Sequence, residues 1–116
     1  MARPPHPSLV SAKARLDRLG LYPRPVRIAG VRILAAPWFF RLPRLRRFDG
    51  YATHRVILVR SRALLADDDL VTHELCHVWQ LQHRPLFWLS YLRQGYRDNA
   101  YEREARLAVD ATRRPR

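Results

Sequence analysis

Hydrophobic positions recur along this chain in patterns that predict a short α+β domain. Leu9, Leu16 and Leu19 form a sparse apolar stripe, with Ser8 or Ser11 as N-cap and Gly20 as the stop, which predicts a first helix ending near residue 19. After Pro23 and Pro25, the residues Val26, Ile28, Val31 and Ile33 alternate with Arg27 and Arg32 around Gly30, the pattern of a bulged strand. Asp49-Gly50 reads as a turn, and the β-branched run from Arg55 to Arg60 as a second, hairpin-like strand whose apolar centre packs on a helix. Asp67, Asp68 and Asp69 then offer capping oxygens and negative charge to a helix that continues to about His83, ahead of the breaker Pro85. A short apolar helix over 86–94 stops at Gly95, and Asp98 or Asn99 caps a last helix to about Thr112. There is no internal repeat and no linker long enough to separate domains, so residues 1–116 read as one domain with flexible ends at 1–7 and 113–116.

Composition sharpens this outline. The 116 residues allow one modest core and leave no room for a second domain. No stretch approaches the ~18 to 20 apolar residues of a membrane span, and residues 1–7 lack the apolar block of a signal peptide, so the expected address is cytoplasmic. A single cysteine, Cys76, can build neither an internal disulfide nor a thiolate cluster, and any metal must rely on His and carboxylates. Of the net charge of +12, nearly all belongs to residues 1–60, which hold 13 cations and 2 acids, against 9 and 8 in residues 61–116. Between Pro37 and Phe48 the cations Arg41, Arg44, Arg46 and Arg47 interleave with Trp38, Phe39, Phe40, Leu42, Leu45 and Phe48. That stretch suits contact with an anionic membrane surface or nucleic acid, although no zinc-finger, RNP or helix-turn-helix signature accompanies it.

The most specific chemistry lies in the 67–83 helix, where His73-Glu74-Leu75-Cys76-His77 spells H-E-x-x-H. Residues i and i+4 share a helix face, so both imidazoles can reach one zinc ion, and Glu74 can reach a water in the open coordination position. A third ligand is needed. His83 has the spacing of the last His in H-E-x-x-H-x-x-G-x-x-H, but Gln80 stands where that pattern has Gly, and the only Met is Met1, so no Met-turn can follow. On the last helix Glu102 and Glu104 lie 25 and 27 residues beyond His77, about 200° apart around the helix, so only one of them can face the ion. Glu102 reads either as that ligand or as the N3 partner of a capping box with Asn99; Glu104 reads as solvated near Arg103. Cys76 points away from the two histidines and reads as core. Trp79, Phe87, Trp88, Tyr91 and Leu92 read as core rather than as a cofactor pocket.

In these residues the chain resembles the gluzincin branch of the zincin-like metallopeptidases, whose motif helix is followed by a later helix carrying a Glu with a small residue three positions on, here Glu102 and Ala105. The string from His73 to Gln80 is also similar to small bacterial zincin-like proteins with H-E-L-x-H-V-x-Q, and the resemblance spans residues 46–110. It implies a minimal zincin-like fold, a small sheet packed on the H-E-x-x-H helix with the glutamate helix across the metal. It implies Zn²⁺ held by His73, His77 and Glu102, and hydrolysis of peptide or protein substrates with Glu74 as general base. By the same analogy the strand 55–60 is the edge that pairs with an extended substrate. Many relatives place an Asp directly after the small residue to orient a zinc-binding His; this chain has Arg106, so that support must come from elsewhere. An oxyanion stabiliser is unassigned among Tyr101, His54, Tyr96 and nearby arginines. With so little chain to wall a cleft, activity is expected to be slow, confined to flexible segments, or dependent on a partner. The competing reading is a non-catalytic zinc module whose basic aromatic half binds nucleic acid or membrane.

Overall fold

The computed structural model describes residues 4–84 and 99–113. Three helices, α1 (Pro7–Leu19), α2 (Asp68–His83) and α3 (Ala100–Thr112), pack with a three-stranded sheet of β1 (Arg32–Ala35), β2 (Gly50–Ala52) and β3 (Val56–Val59). The α+β class read from the sequence is what these elements form. The expected helix over 86–94 lies outside the described residues.

Each helix end has a local cause. The first helix is capped by His6 and not, as expected, by Ser8 or Ser11, which lie inside it with their hydroxyls bonded to the Leu65 carbonyl and to Asp68. The His6 imidazole accepts from the Ser8 N–H, Pro7 occupies the first turn, and Gly20 takes the left-handed conformation that stops the helix (φ 61°). Asp67 accepts from the Leu70 N–H to cap α2, with Asp68 and Asp69 at the positive end of its dipole. The Asn99 side chain caps α3 by accepting from the N–H groups of Tyr101 and Glu102.

The sheet order is β1-β3-β2, with β1 parallel and β2 antiparallel to β3. Two expectations are corrected here. The strand expected over 26–33 begins only at Arg32, because the preceding backbone is already engaged. The Val26 N–H donates to Asp17, the Val26 carbonyl accepts from Lys13, the Arg24 carbonyl accepts from Trp79, and both Arg27 backbone groups bond the Gln82 amide. A segment whose donors and acceptors are taken by side chains has none left for a ladder. Second, the strand expected at the edge, β3, is central, and β1 and β2 are the edges. Asp49-Gly50 is therefore not the hairpin turn but the entry to β2; the turn is residues 53–55, closed by the Thr53 hydroxyl.

The core lies between the sheet and the helices. Leu9, Ala12 and Leu16 of α1, Ile33, Ile57 and Val59 of the sheet, Val71, Leu75, Cys76, Val78 and Trp79 of α2, and Ala105 and Ala108 of α3 are buried together. Cys76 and Trp79 are thus core, as their positions predicted. Gly50 and Ala52 lie in the same register rows as Val59 and Ile57, so the edge strand turns small residues towards α2 and lets it approach closely. One buried cation ties the helices together. Arg15 of α1 meets Asp68 (2.5 Å) and Asp69 (3.0 Å) at the start of α2, and donates to Thr112 and to the Val109 carbonyl at the end of α3.

Candidate metal centre

α2 and α3 cross so that Glu102, buried at the first turn of α3, faces the His73 and His77 side of the motif helix. Glu102 Oε1 lies 2.7 Å from His73 Nε2, and Oε2 lies 3.0 Å from His77 Nε2. One ligand atom from each of the three side chains falls within 4.8 Å of the others, the one such grouping of His, Cys, Asp or Glu among the described residues. The Asn99 side chain caps the helix, and the Glu102 carboxylate is turned to the histidines.

His77 is oriented by a group that the sequence reading overlooked. Its Nδ1 lies 2.7 Å from Gln80 Oε1, and the Gln80 amide nitrogen donates to the Tyr101 carbonyl (2.9 Å) and to Glu104 Oε1 (3.1 Å). Since both of those partners only accept, the amide oxygen must face His77, and Nδ1 must carry a proton. A neutral His77 then aims its Nε2 lone pair at a carboxylate oxygen, an arrangement that requires a cation between them: a proton on the ring, or a metal ion. This donor chemistry fits zinc, which takes neutral imidazole and carboxylate ligands. The signal for Gln80 was available, since i and i+3 are neighbours on a helix.

Charges in the centre are strongly coupled. Burial works against the charged form of His77, but its hydrogen bond to Glu102 and the nearby Glu74 and Glu102 carboxylates outweigh that and hold its pKa above the ordinary value. Burial alone would raise the Glu102 pKa, yet the hydrogen bonds and charges of His73 and His77 drive it well below the usual carboxylate range. Glu74 goes the other way. Its carboxyl is buried, which raises its pKa despite the two histidines, and Glu102 adds to the rise. A side chain at Gly50 would stand only 2.9 Å from the Glu74 Cγ.

His73 and Glu74 open onto a groove of about 480 Å³ walled by residues 47–50 on one side and by Arg106, Val109, Asp110 and Arg113 of α3 and its end on the other. The remaining sequence candidates sit elsewhere. His83 lies at the end of α2, stacked on Tyr22 at 4.9 Å, with its Nδ1 at the Trp79 carbonyl. Glu104 is not solvated beside Arg103 as expected; it is half-buried, accepting from the Tyr22 hydroxyl and from Gln80, because Tyr22 folds back over α2. His54 is in the exposed β2–β3 turn, Tyr101 lends its carbonyl to Gln80, and Tyr96 lies outside the described residues. Compared with known proteins, the chain matches no family model, no curated protein and no solved structure, so its chemistry rests on the residues just described.

Proposed function

We propose that this chain is a zinc-dependent peptidase of minimal zincin-like build, with His73, His77 and Glu102 as ligands and Glu74 as general base. The observation that carries the reading is the convergence of two imidazole nitrogens and one buried carboxylate beside a second carboxyl that opens onto a groove. Bound there, zinc supplies Lewis-acid polarisation of a carbonyl and brings the pKa of water down towards about 7.

The chain's own residues supply the rest. Gln80 fixes the His77 tautomer, so that Nε2 is the donor atom. Glu102, buried beside both histidines, would offset part of the charge of an ion held there. Glu74, with its pKa raised by burial, can accept a proton from an attacking water at a carboxylate oxygen and return it to the departing amine. The edge strand β2 runs into the groove at Gly50, so an extended peptide laid along that edge passes Glu74. Two nitrogens and one oxygen form the donor set of open catalytic sites, whereas closed structural zinc sites use four protein ligands. That composition favours catalysis over the non-catalytic zinc module.

The test compares zinc content and cleavage of a quenched fluorescent peptide library for wild type, Glu74→Gln and Glu102→Gln. The expected outcome is about one zinc per wild-type chain, zinc retained but hydrolysis lowered on the order of a hundredfold or more in Glu74→Gln, and zinc lost in Glu102→Gln. Undiminished hydrolysis by Glu74→Gln refutes the assignment of the base.

A further inference from the structure

The face of the sheet turned away from α2 carries an unusual surface. Leu34, Leu58 and Tyr51 occupy one register row across β1, β3 and β2, opposite in facing to the buried Ile33, Ile57 and Val59. Phe39 packs edge-on against Tyr51 at 5.3 Å, and Trp38 against Phe39 at 6.0 Å. Several of these side chains are open to solvent: Trp38 is 67% exposed, Leu42 50%, Leu34 45% and Tyr51 42%. Cations accompany them, with Arg41, Arg44 and Arg46 exposed in the adjoining loop and Arg32 exposed on β1.

The loop is held in shape from beneath. Phe40 is buried, and Arg60 lies over its ring while donating to the Arg46 and Phe48 carbonyls and to the Asp49 carboxylate. The neighbours of Phe40 are thereby turned outward on a fixed frame, which lowers the ordering cost of any docking event.

We propose that this face docks peripherally on an anionic lipid surface, with Trp38, Leu42, Tyr51 and Leu34 entering the headgroup layer and Arg32, Arg41, Arg44 and Arg46 meeting lipid phosphates. Amphipathic aromatic rings are suited to that layer, aliphatic side chains gain from burial in it, and arginines are drawn to its negative potential. Nucleic acid would use the arginines and could stack on the rings, but it offers the exposed Leu34 and Leu42 nothing comparable. The proposal is independent of the metal centre. It also assigns a use to four of the 13 cations of residues 1–60.

The experiment is co-sedimentation of the full chain with phosphatidylcholine vesicles prepared with and without phosphatidylglycerol, with a single-stranded oligonucleotide as competitor. Sedimentation is expected to need phosphatidylglycerol, to weaken with salt and to be the same after zinc is stripped with chelator. Replacing Arg41, Arg44 and Arg46 together by Gln should lower partitioning on the order of a hundredfold, and Trp38→Ala with Leu42→Ala about tenfold or more. Both variants change only exposed side chains and should melt like wild type. Bromolipid quenching, read as the difference between wild type and Trp38→Phe, should place the Trp38 indole in the bilayer. Failure to sediment with phosphatidylglycerol, partitioning unchanged in either variant, an unquenched Trp38, or displacement by the oligonucleotide overturns the proposal.

Discussion

At the scale of single residues, the candidate centre depends on two residues that carry no metal-binding chemistry. Gln80 sets which nitrogen of His77 is the donor, and its own amide is fixed by Tyr101 and Glu104, with Tyr22 holding Glu104 in turn. Gly50 matters because of what it lacks. A methyl group there would lie 2.9 Å from Glu74 Cγ and 3.0 Å from its Cδ and Oε1. Gly50→Ala is therefore expected to displace the Glu74 carboxyl, lower hydrolysis while leaving zinc bound, and cost about 1 to 2 kcal/mol of stability from overpacking. Metal analysis beside denaturant unfolding checks both parts. That His73 and His77 share one face of α2 was legible from their spacing alone. The part played by Gly50 was not, since it depends on a strand from elsewhere in the chain approaching α2.

Among the elements, helices were easier to read than strands, and the reason is physical. A helix announces its ends through nearby residues, and Gly20, Asp67 and Asn99 act where their types predict. A strand exists only if a partner satisfies its backbone. Val26 and Ile28 have the right alternation, but Lys13, Asp17 and Gln82 reach their stretch first. Likewise no local pattern reveals that β3 is flanked on both sides, because its parallel partner β1 lies more than twenty residues earlier. The position of Glu102 depends on the start of α3, so Asn99→Ala is expected to cost about 1 kcal/mol and to weaken zinc binding several-fold, as the first turn frays and its carboxylate loses its aim. Chemical denaturation and a competitive zinc titration measure the two effects. Zinc affinity unchanged despite lost stability would mean that packing of α3 against α2 places Glu102 without the cap.

For the whole molecule, the coupled charges make stability depend on pH in a definite direction. His77 has a pKa raised above 6.5 in the folded metal-free chain, so its contribution is full below about 6.5 and is lost as pH rises through the raised value. Glu102 has a pKa lowered from 4.5, so its contribution is full above about 4.5 and is lost as pH falls through the depressed value. Charging the buried Glu74 above its ordinary 4.5 opposes folding as pH rises towards its raised value. The metal-free chain is therefore expected to melt highest between about 4.5 and 6.5 and to lose stability through neutrality, whereas zinc, competing with the His77 proton, stabilises more as pH rises. Thermal melts across pH with chelator and with zinc check this, and a metal-free melting temperature that climbs through neutrality contradicts it. Among the described residues no helix is long and apolar enough to cross a membrane. The buried position of Cys76 on the motif helix also has a use at the bench. Burial lifts its thiol pKa far above the ordinary value and keeps reagents out. As the chain's one thiol, it can be modified only when α2 parts from its neighbours, so the rate of alkylation becomes a clock for the opening of the helix that carries His73 and His77.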